Sequence, residues 1–177
     1  MATKYVVCRY LFHIGNSHYE NLPMQWAVTT LHNLCQLTDG EKQTNIARLN
    51  LDARYLRGKS AGETMMKGKY IPANSTLILV DGENSGEIFT TPIEGYQGST
   101  FKLLDICSEM YTPFVLYIIK SYQKKFRENK IGSAIPHLNK KLFHDITVFI
   151  PPLEEQKRIV KKAEIILSAL DTITVEL

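Results

Sequence analysis

Basic side chains are concentrated in one part of the chain. Between residues 120 and 141 the sequence holds seven bases and a single acid, Glu128. The bases are Lys120, Lys124, Lys125, Arg127, Lys130, Lys140 and Lys141. Such a local excess of positive charge suits phosphate binding, because each neutralised phosphate releases a counterion. A solvated helix face is the alternative, and a charge run of this kind fits it equally well.

A second group of side chains has the chemistry to recognise bases. Recognition in the major groove needs planar groups that present paired donors and acceptors. Side chains of this type are Asn84, Gln97, His137 and Asn139, together with Arg54, Arg57 and Lys59 beyond a predicted strand. We expect the base-recognising residues to lie on protruding loops. Each amide could instead stabilise a turn, and for Asn84 and Asn139 we give that alternative at least equal weight.

The segments before the basic run are predicted to be mostly strands. Apolar or alternating patterns predict strands at 26–31, 47–56, 76–80, 86–91 and 99–106, with a helical turn at 31–37. Residues 58–68 are predicted to be a loop, and 81–82 and 94–95 to be turns. Short strands at close spacing favour an antiparallel, barrel-like sheet over βαβ units. The predicted fold class is therefore α+β, with a β-rich domain and a few helices.

The basic residues are predicted to lie on a helix that starts at Thr112-Pro113. Thr112 suits the N-cap, and Pro113 suits the first helical position. Apolar residues at helical spacing should form its buried face, with the bases on the exposed arc. This predicted face consists of Phe114, Tyr117, Ile118, Tyr122 and Phe126. A helical turn at 140–144 and a buried strand at 146–150 should follow.

The last segment is predicted to be an amphipathic helix that begins at the Pro151-Pro152 pair. Glu154 and Glu155 favour the positive end of its dipole. Its apolar face is too broad to remain in water, and it predicts pairing with another helix. The predicted pairing residues are Leu153, Ile159, Val160, Ala163, Ile166, Leu167 and Leu170. The chain thus divides into an arm or linker (1–21), a domain (22–151) and a helix (152–177).

Composition and missing motifs bound the function. The 177 residues are 44% apolar and 22% charged with a net charge of +3, as in an ordinary soluble protein. Three scattered cysteines favour a reducing compartment, and no apolar run predicts a membrane span or a signal peptide. The sequence lacks a phosphate loop, a dinucleotide-binding turn, a nucleophile elbow and metal-ligand spacing. We therefore predict no catalytic residues and no metal site, which disfavours a self-contained nuclease or methyltransferase.

Several segments together resemble one known family. Residues 135–143 (IPHLNKKLF) and 146–160 (ITVFIPPLEEQKRIV) are similar to the end of a target recognition domain. That domain belongs to the DNA-specificity subunit of type I restriction-modification systems. Residues 16–31, 78–87 and 95–101 resemble its beginning and its central segments. The resemblance covers nearly everything from residue 16 to about residue 173.

The resemblance implies a subunit with no catalytic activity of its own. In the family, this subunit binds double-stranded DNA and holds the methyltransferase and restriction subunits, which act on S-adenosylmethionine, ATP and magnesium. A full subunit has two recognition domains, each for one half of a bipartite site, separated by two long antiparallel helices. This chain resembles half of one: a fragment, an isolated domain, or a short form that pairs through its helix. The implied location is the cytoplasm of a bacterium or archaeon, and the alternative function is a structural oligomerisation module.

Overall fold

The computed structural model of the protein describes residues 25–132 and 136–175, with side chains described up to residue 170. Within these residues lie nine strands and six helices. In chain order they are β1 (Ala27–Thr30), α1 (Leu31–Leu34), β2 (Cys35–Thr38), β3 (Glu41–Leu51), α2 (Ala53–Leu56), β4 (Thr64–Ile71), β5 (Thr76–Leu79), β6 (Ile88–Thr90), β7 (Gly95–Gln97), β8 (Phe101–Ile106), α3 (Thr112–Ser121), α4 (Gln123–Glu128), α5 (Lys140–His144), β9 (Thr147–Ile150) and α6 (Leu153–Val175). The arm or linker predicted at 1–21 lies outside the described residues.

The strands form three separate groups. Strands β2, β8, β5 and β6 make a four-stranded antiparallel sheet, and β1 pairs antiparallel with β9. Strands β3, β4 and β7 each pair with the other two and close a small barrel. The predicted α+β class with a long terminal helix is confirmed. Barrel character, however, is confined to three of the nine strands.

Two element boundaries in the barrel differ from prediction. The predicted loop at 58–68 is wrong in part, because β4 begins at Thr64. The strand predicted at 47–56 begins earlier, at Glu41, and ends at Leu51. Asp52 terminates it, because its carboxylate accepts hydrogen bonds from the backbone N–H groups of Arg54 and Tyr55 at 2.9 and 2.8 Å and so caps α2.

The buried face of the basic helix is rotated from the predicted one. Tyr111, not Thr112, is the N-cap of α3, and Pro113 lies in its first turn. The buried residues are Phe114, Val115, Ile119 and Phe126, whereas Tyr117, Ile118 and Tyr122 are only half-buried. Val115 and Ile119 pack in one hydrophobic cluster with Phe126, whereas Ile118 and Tyr122 only border that cluster.

Strand β5 joins two hydrophobic clusters. Successive side chains of a strand point to opposite faces. Leu77 and Leu79 therefore enter a smaller cluster with Phe101 beside the barrel, while Ile78 enters a larger cluster on the other face. The larger cluster contains Phe126 and side chains from α1, α3, α5 and β9. One strand thus fixes the barrel relative to the helical layer.

Helix α6 is anchored to the domain through its first turns. Gln156 and Val160 are each 2% exposed, and Ile159 and Ala163 are half-buried. The Gln156 side chain donates to the Pro151 carbonyl at 2.9 Å and accepts from the Tyr111 backbone N–H at 3.0 Å. It therefore joins the Pro-Pro segment to the start of α3. Side chains 164–170 are all exposed.

We expect Gln156→Ala to destabilise this joint. The buried Pro151 carbonyl and the half-buried Tyr111 N–H would lose their partner, at a cost of about 1–3 kcal/mol in the free energy of unfolding. The measurement is urea denaturation of the full chain. Lys157→Ala is the matched control, since that exposed side chain only pairs with Glu154 at 2.7 Å, a surface contact worth about 0–1 kcal/mol. Equal losses in both variants would contradict the role assigned to Gln156.

Candidate nucleic-acid interface

The loop between β5 and β6, residues 81–87, is the centre of the site and is called the acidic loop below. It carries Asp81, Glu83 and Glu87 and no base. Its backbone lies against the segment after residue 135. The Gly82 N–H donates to the Pro136 carbonyl at 2.7 Å, and the Leu138 N–H donates to the Val80 carbonyl, also at 2.7 Å. These bonds bring two segments that are distant in sequence into one surface.

Each carboxylate of the acidic loop pairs with a base that the sequence analysis proposed for DNA binding. Glu83 pairs with Lys130, and Glu87 pairs with Arg57. Asp81 lies 2.7 Å from Nδ1 of His137. Arg57 comes from one part of the chain and Lys130 and His137 from another, and Asn84 lies exposed between two of the acids. The structure thus brings four of the predicted residues together.

Helix α4 is attached to the same loop. Its Gln123 side chain donates to the Gly86 carbonyl at 3.1 Å, and its Phe126 ring packs against Gly86. A Cβ atom at Gly86 would lie 2.9 Å from that ring, and the φ angle of 93° also favours glycine. The loop therefore needs glycine here for both packing and conformation. The predicted bases Lys124, Lys125 and Arg127 are exposed on α4.

The bases of α4 are only weakly engaged by other side chains. Lys124 is 88% exposed and lies 3.8 Å from Glu128, its neighbour one turn later. The Lys125 ammonium lies 5.7 Å from the centre of the Tyr122 ring. Contacts of this exposed kind are worth about 0–1 kcal/mol. Both ammonium groups can therefore move to a phosphate at little cost.

Two further predicted residues follow His137 directly. The Asn139 side chain accepts from the Leu142 N–H at 3.0 Å and is the N-cap of α5, which is the turn-stabilising role weighed above. Lys140 is exposed at the start of α5. At the end of α5, burial and then the nearby His32 lower the pKa of His144. His144 is therefore uncharged at neutral pH and adds nothing to the positive charge of Lys140.

The remaining predicted residues lie on α2 and β7. Arg57, at the end of α2, stands over the Phe89 ring at 5.6 Å from its centre, and Lys59 is exposed just beyond it. Gln97 is 7% exposed. Its amide donates to Asp39 and to the Phe101 carbonyl, and accepts from the Gly40 N–H, at 2.7 to 2.9 Å. The predicted loop placement of Gln97 is wrong, because residues 95–97 are a buried strand of the barrel.

Within residues 25–132 and 136–175, no group of three or more His, Cys, Asp or Glu side chains is arranged to hold a metal ion. In the same part of the chain, no helix combines the length and the apolar character that crossing a membrane requires.

Comparison with known protein families identifies the family of the chain. Residues 23–177 match the family described as the type I restriction modification DNA specificity domain. The chain belongs to this family. The match includes both the acidic loop and α6.

Two curated specificity subunits show the same relationship. The chain is 30% identical over 170 residues to the type I restriction enzyme MjaVIII specificity subunit of Methanocaldococcus jannaschii, covering 88% of this chain and 38% of that protein. It is 27% identical over 152 residues to the type I restriction enzyme EcoDI specificity subunit of Escherichia coli, covering 85% and 33%. The chain therefore spans about a third of the length of these relatives.

Solved structures show the shared fold. The HsdS subunit from Thermoanaerobacter tengcongensis superposes with a TM-score of 0.66 at 16% identity, covering 98% of this chain and 44% of that one. The S subunit from M. genitalium superposes with a TM-score of 0.58 at 18% identity, covering 88% and 42%. The fold of this specificity domain is thus found within structures more than twice as long.

Sequence reasoning missed the acids that organise the site. Three acids within seven residues are visible in the sequence, but a turn explained them sufficiently. Their pairing with Arg57, Lys130 and His137 depends on contacts between residues 30 to 56 positions apart. From the sequence alone, the charge-balanced surface around the acidic loop therefore resembled a run of bases without acidic partners.

We expect Glu83→Gln to strengthen binding to nonspecific duplex DNA. Lys130 would lose its carboxylate partner and become available to a phosphate. One added phosphate contact should steepen the dependence of log K on log salt by about 0.9. Fluorescence anisotropy across a salt series measures this. Glu164→Gln, on exposed α6, makes the same change in net charge and should leave the slope unaltered. Equal effects from both variants would show that only net charge matters.

Proposed function

We propose that this domain recognises a DNA sequence as the specificity component of a type I restriction-modification complex. The family match over residues 23–177 is the observation that carries the proposal. The clustering of Arg57, Lys130 and His137 at the acidic loop supports it independently. Arg57 lies close to Lys130 and His137 through the acidic loop although it comes from a distant segment of the chain.

The contacts divide by chemistry into positioning and recognition. Lys124, Lys125 and Arg127 are exposed on α4 and would bind phosphates, which fixes the register on the duplex. Asn84 would present its amide to a base edge. At His137, the Asp81 carboxylate can only accept, so Nδ1 donates to it and Nε2 remains for a hydrogen bond with a base edge.

The domain would act without a catalytic step of its own. Its relatives are named as specificity subunits of restriction enzymes, and a further solved structure concerns assembly of a type I restriction-modification system. We therefore assign methylation and cleavage to partner methyltransferase and restriction subunits, which would bind S-adenosylmethionine, ATP and magnesium. Because the chain spans about a third of its curated relatives, we assign it one half of a bipartite site. Such a complex would work in the cytoplasm, where the DNA is.

Helix α6 would serve assembly. Its predicted pairing residues separate into two groups. Val160 is buried against the domain, whereas Ile166 and Leu167 are 60% and 47% exposed, as is the unpredicted Ile165 at 60%. Large apolar side chains adjacent on one exposed helix favour burial against another helix. We propose that this outer half of α6 pairs with a helix of a second recognition unit.

Exchange of the domain tests the function. In a complete subunit, residues 27–150 would be replaced by the corresponding segment of another family member and produced with its methyltransferase. Methylated positions across the host genome would then be mapped by sequencing. We expect one half of the recognised sequence to change to that of the donor while the other half stays the same. An unchanged methylation map would refute the proposal, and exchange of α6 alone is the control that should leave the sequence unaltered.

Charged substitutions on α6 test the assembly role. We expect Ile166→Glu combined with Leu167→Glu to weaken association at least tenfold, because pairing would bury two carboxylates in an apolar seam. Light scattering of the full chain at several concentrations gives the mass. Lys161→Glu with Lys162→Glu is the control on the exposed surface of the same helix. Association that survives the first pair of substitutions would remove α6 from the interface.

A further inference from the structure

Strands β3 and β4 form an antiparallel ribbon with two different faces. Residues directly opposite each other share a face, and successive residues alternate between faces. Gln43 lies opposite Gly68, and this face covers the buried Tyr96, because a Cβ atom at Gly68 would lie 2.5 Å from the Tyr96 ring. The other face therefore points away from the domain.

The outward face of the ribbon is basic. Lys42 lies opposite Lys69, and Thr44 lies opposite Lys67, so three lysines occupy two adjacent pairs. Like charges directly opposite each other destabilise a sheet unless something neutralises them. The one acid on these two strands, Glu41, is in register with the inward face. The ribbon thus gathers positive charge with no compensating acid on its own outward face.

Only one of the three lysines has an ionic partner among the described residues. Lys69 lies 3.0 Å from Asp39, which also binds Lys102 at 2.7 Å. Partial burial raises the pKa of Asp39, but hydrogen bonds from Lys102, Gln97 and Lys69 outweigh it and hold the pKa well below its usual range. Asp39 is therefore ionised and already shared. Lys42 and Lys67 are exposed and form no ion pair within residues 25–132 and 136–175.

A bulge next to these lysines presents side chains of a different kind. Three residues of β3, Asn45 to Ala47, lie opposite a single residue of β4, Met66. Asn45 has a φ angle of 63°, and Ile46 and Met66 are 42% and 57% exposed. The buried Tyr96 hydroxyl donates to the Ile46 carbonyl at 2.7 Å. A buried group therefore holds the backbone of the bulge, and this fixes the position from which its exposed side chains project.

The ribbon is continuous with the acidic loop. The segment 52–63 connects the two strands, and Arg57 in this segment pairs with Glu87 of the acidic loop. From Leu49 the ribbon extends seven residues to Lys42, roughly 20 Å at the rise of a strand. Free cations and exposed apolar and amide side chains therefore lie on a ribbon that is joined to the candidate interface through Arg57.

We propose that the outward face of this ribbon is a second DNA-binding surface that enters the major groove. A two-stranded ribbon fits that groove. Lys42 and Lys67 contact phosphates on either side, and the bulge contacts base edges. Asn45 can form paired hydrogen bonds with adenine, while Ile46 and Met66 can contact a thymine methyl group. The surface is therefore selective for an A·T pair at the bulge. This inference rests on the function proposed above.

Removal of the two free cations tests the phosphate contacts. The complete subunit, assembled with its methyltransferase, would carry Lys42→Gln and Lys67→Gln. Binding to a duplex with the mapped site would be measured across a salt series. We expect at least tenfold weaker binding near physiological salt and a shallower slope of log K against log salt, by about 1.8 for two lost contacts. Lys161→Gln with Lys162→Gln removes the same charge from α6 and should stay within twofold of the unaltered protein.

Asn45→Gly tests base recognition, because glycine keeps the positive φ and removes only the amide. We expect discrimination at one A·T pair to fall at least fivefold, with nonspecific affinity unchanged.

Unchanged affinity and slope in the lysine variant overturn the ribbon proposal alone, provided that the unaltered protein binds its site selectively. Absence of any sequence-dependent binding by the unaltered protein overturns both proposals. The lysine variant could instead fail to associate with the methyltransferase while its slope of log K for DNA against log salt stays the same. In that case the ribbon is a protein-docking surface and the proposal is wrong.

Discussion

The candidate interface depends on how one seven-residue loop is held in place. Its three side-chain pairs are partly exposed, and each such pair contributes about 0–1 kcal/mol. The stronger constraints are the backbone bonds from Gly82 and Leu138 and the burial of Phe126 against Gly86. Packing and backbone bonds therefore fix the loop, and the carboxylates then orient Arg57, Lys130 and His137. The positions of these three side chains are consequences of the hydrophobic core rather than of charge attraction.

Under the proposed function, this arrangement would separate nonspecific from specific attraction to DNA. A surface of unpaired lysines would bind any duplex through counterion release. Here, the cations closest to the loop are already neutralised, whereas those of α4 and the outer ribbon are exposed. When such a cation exchanges its carboxylate partner for a DNA phosphate, the binding free energy changes little. Contacts with base edges therefore account for more of the difference in affinity between DNA sites. The modest net charge of +3 is consistent with this balance.

Sequence patterns correctly predicted those elements whose structure is determined by residues close to one another in the sequence. Pro152 and the two following acids indicate the start of α6, and the apolar run at 76–80 contains β5. Errors arose where distant contacts decide. Gln97 is buried because β7 pairs with both β3 and β4, and no local pattern indicates that pairing. Likewise, the basic run was visible as charge, but its partners Glu83 and Glu87 lie across the fold and could be found only from the structure.

The two-stranded sheet of β1 and β9 has a consequence for how the chain folds. Ala27 pairs with Ile150, so the first described strand finds its partner more than a hundred residues later. Loop closure over such a distance is slow, and a strand edge left open invites pairing with other chains. During synthesis, β1 must wait until residues 147–150 have emerged, when every other part of the domain is already available. Completion of the domain and the start of α6 are thus nearly simultaneous events on the ribosome.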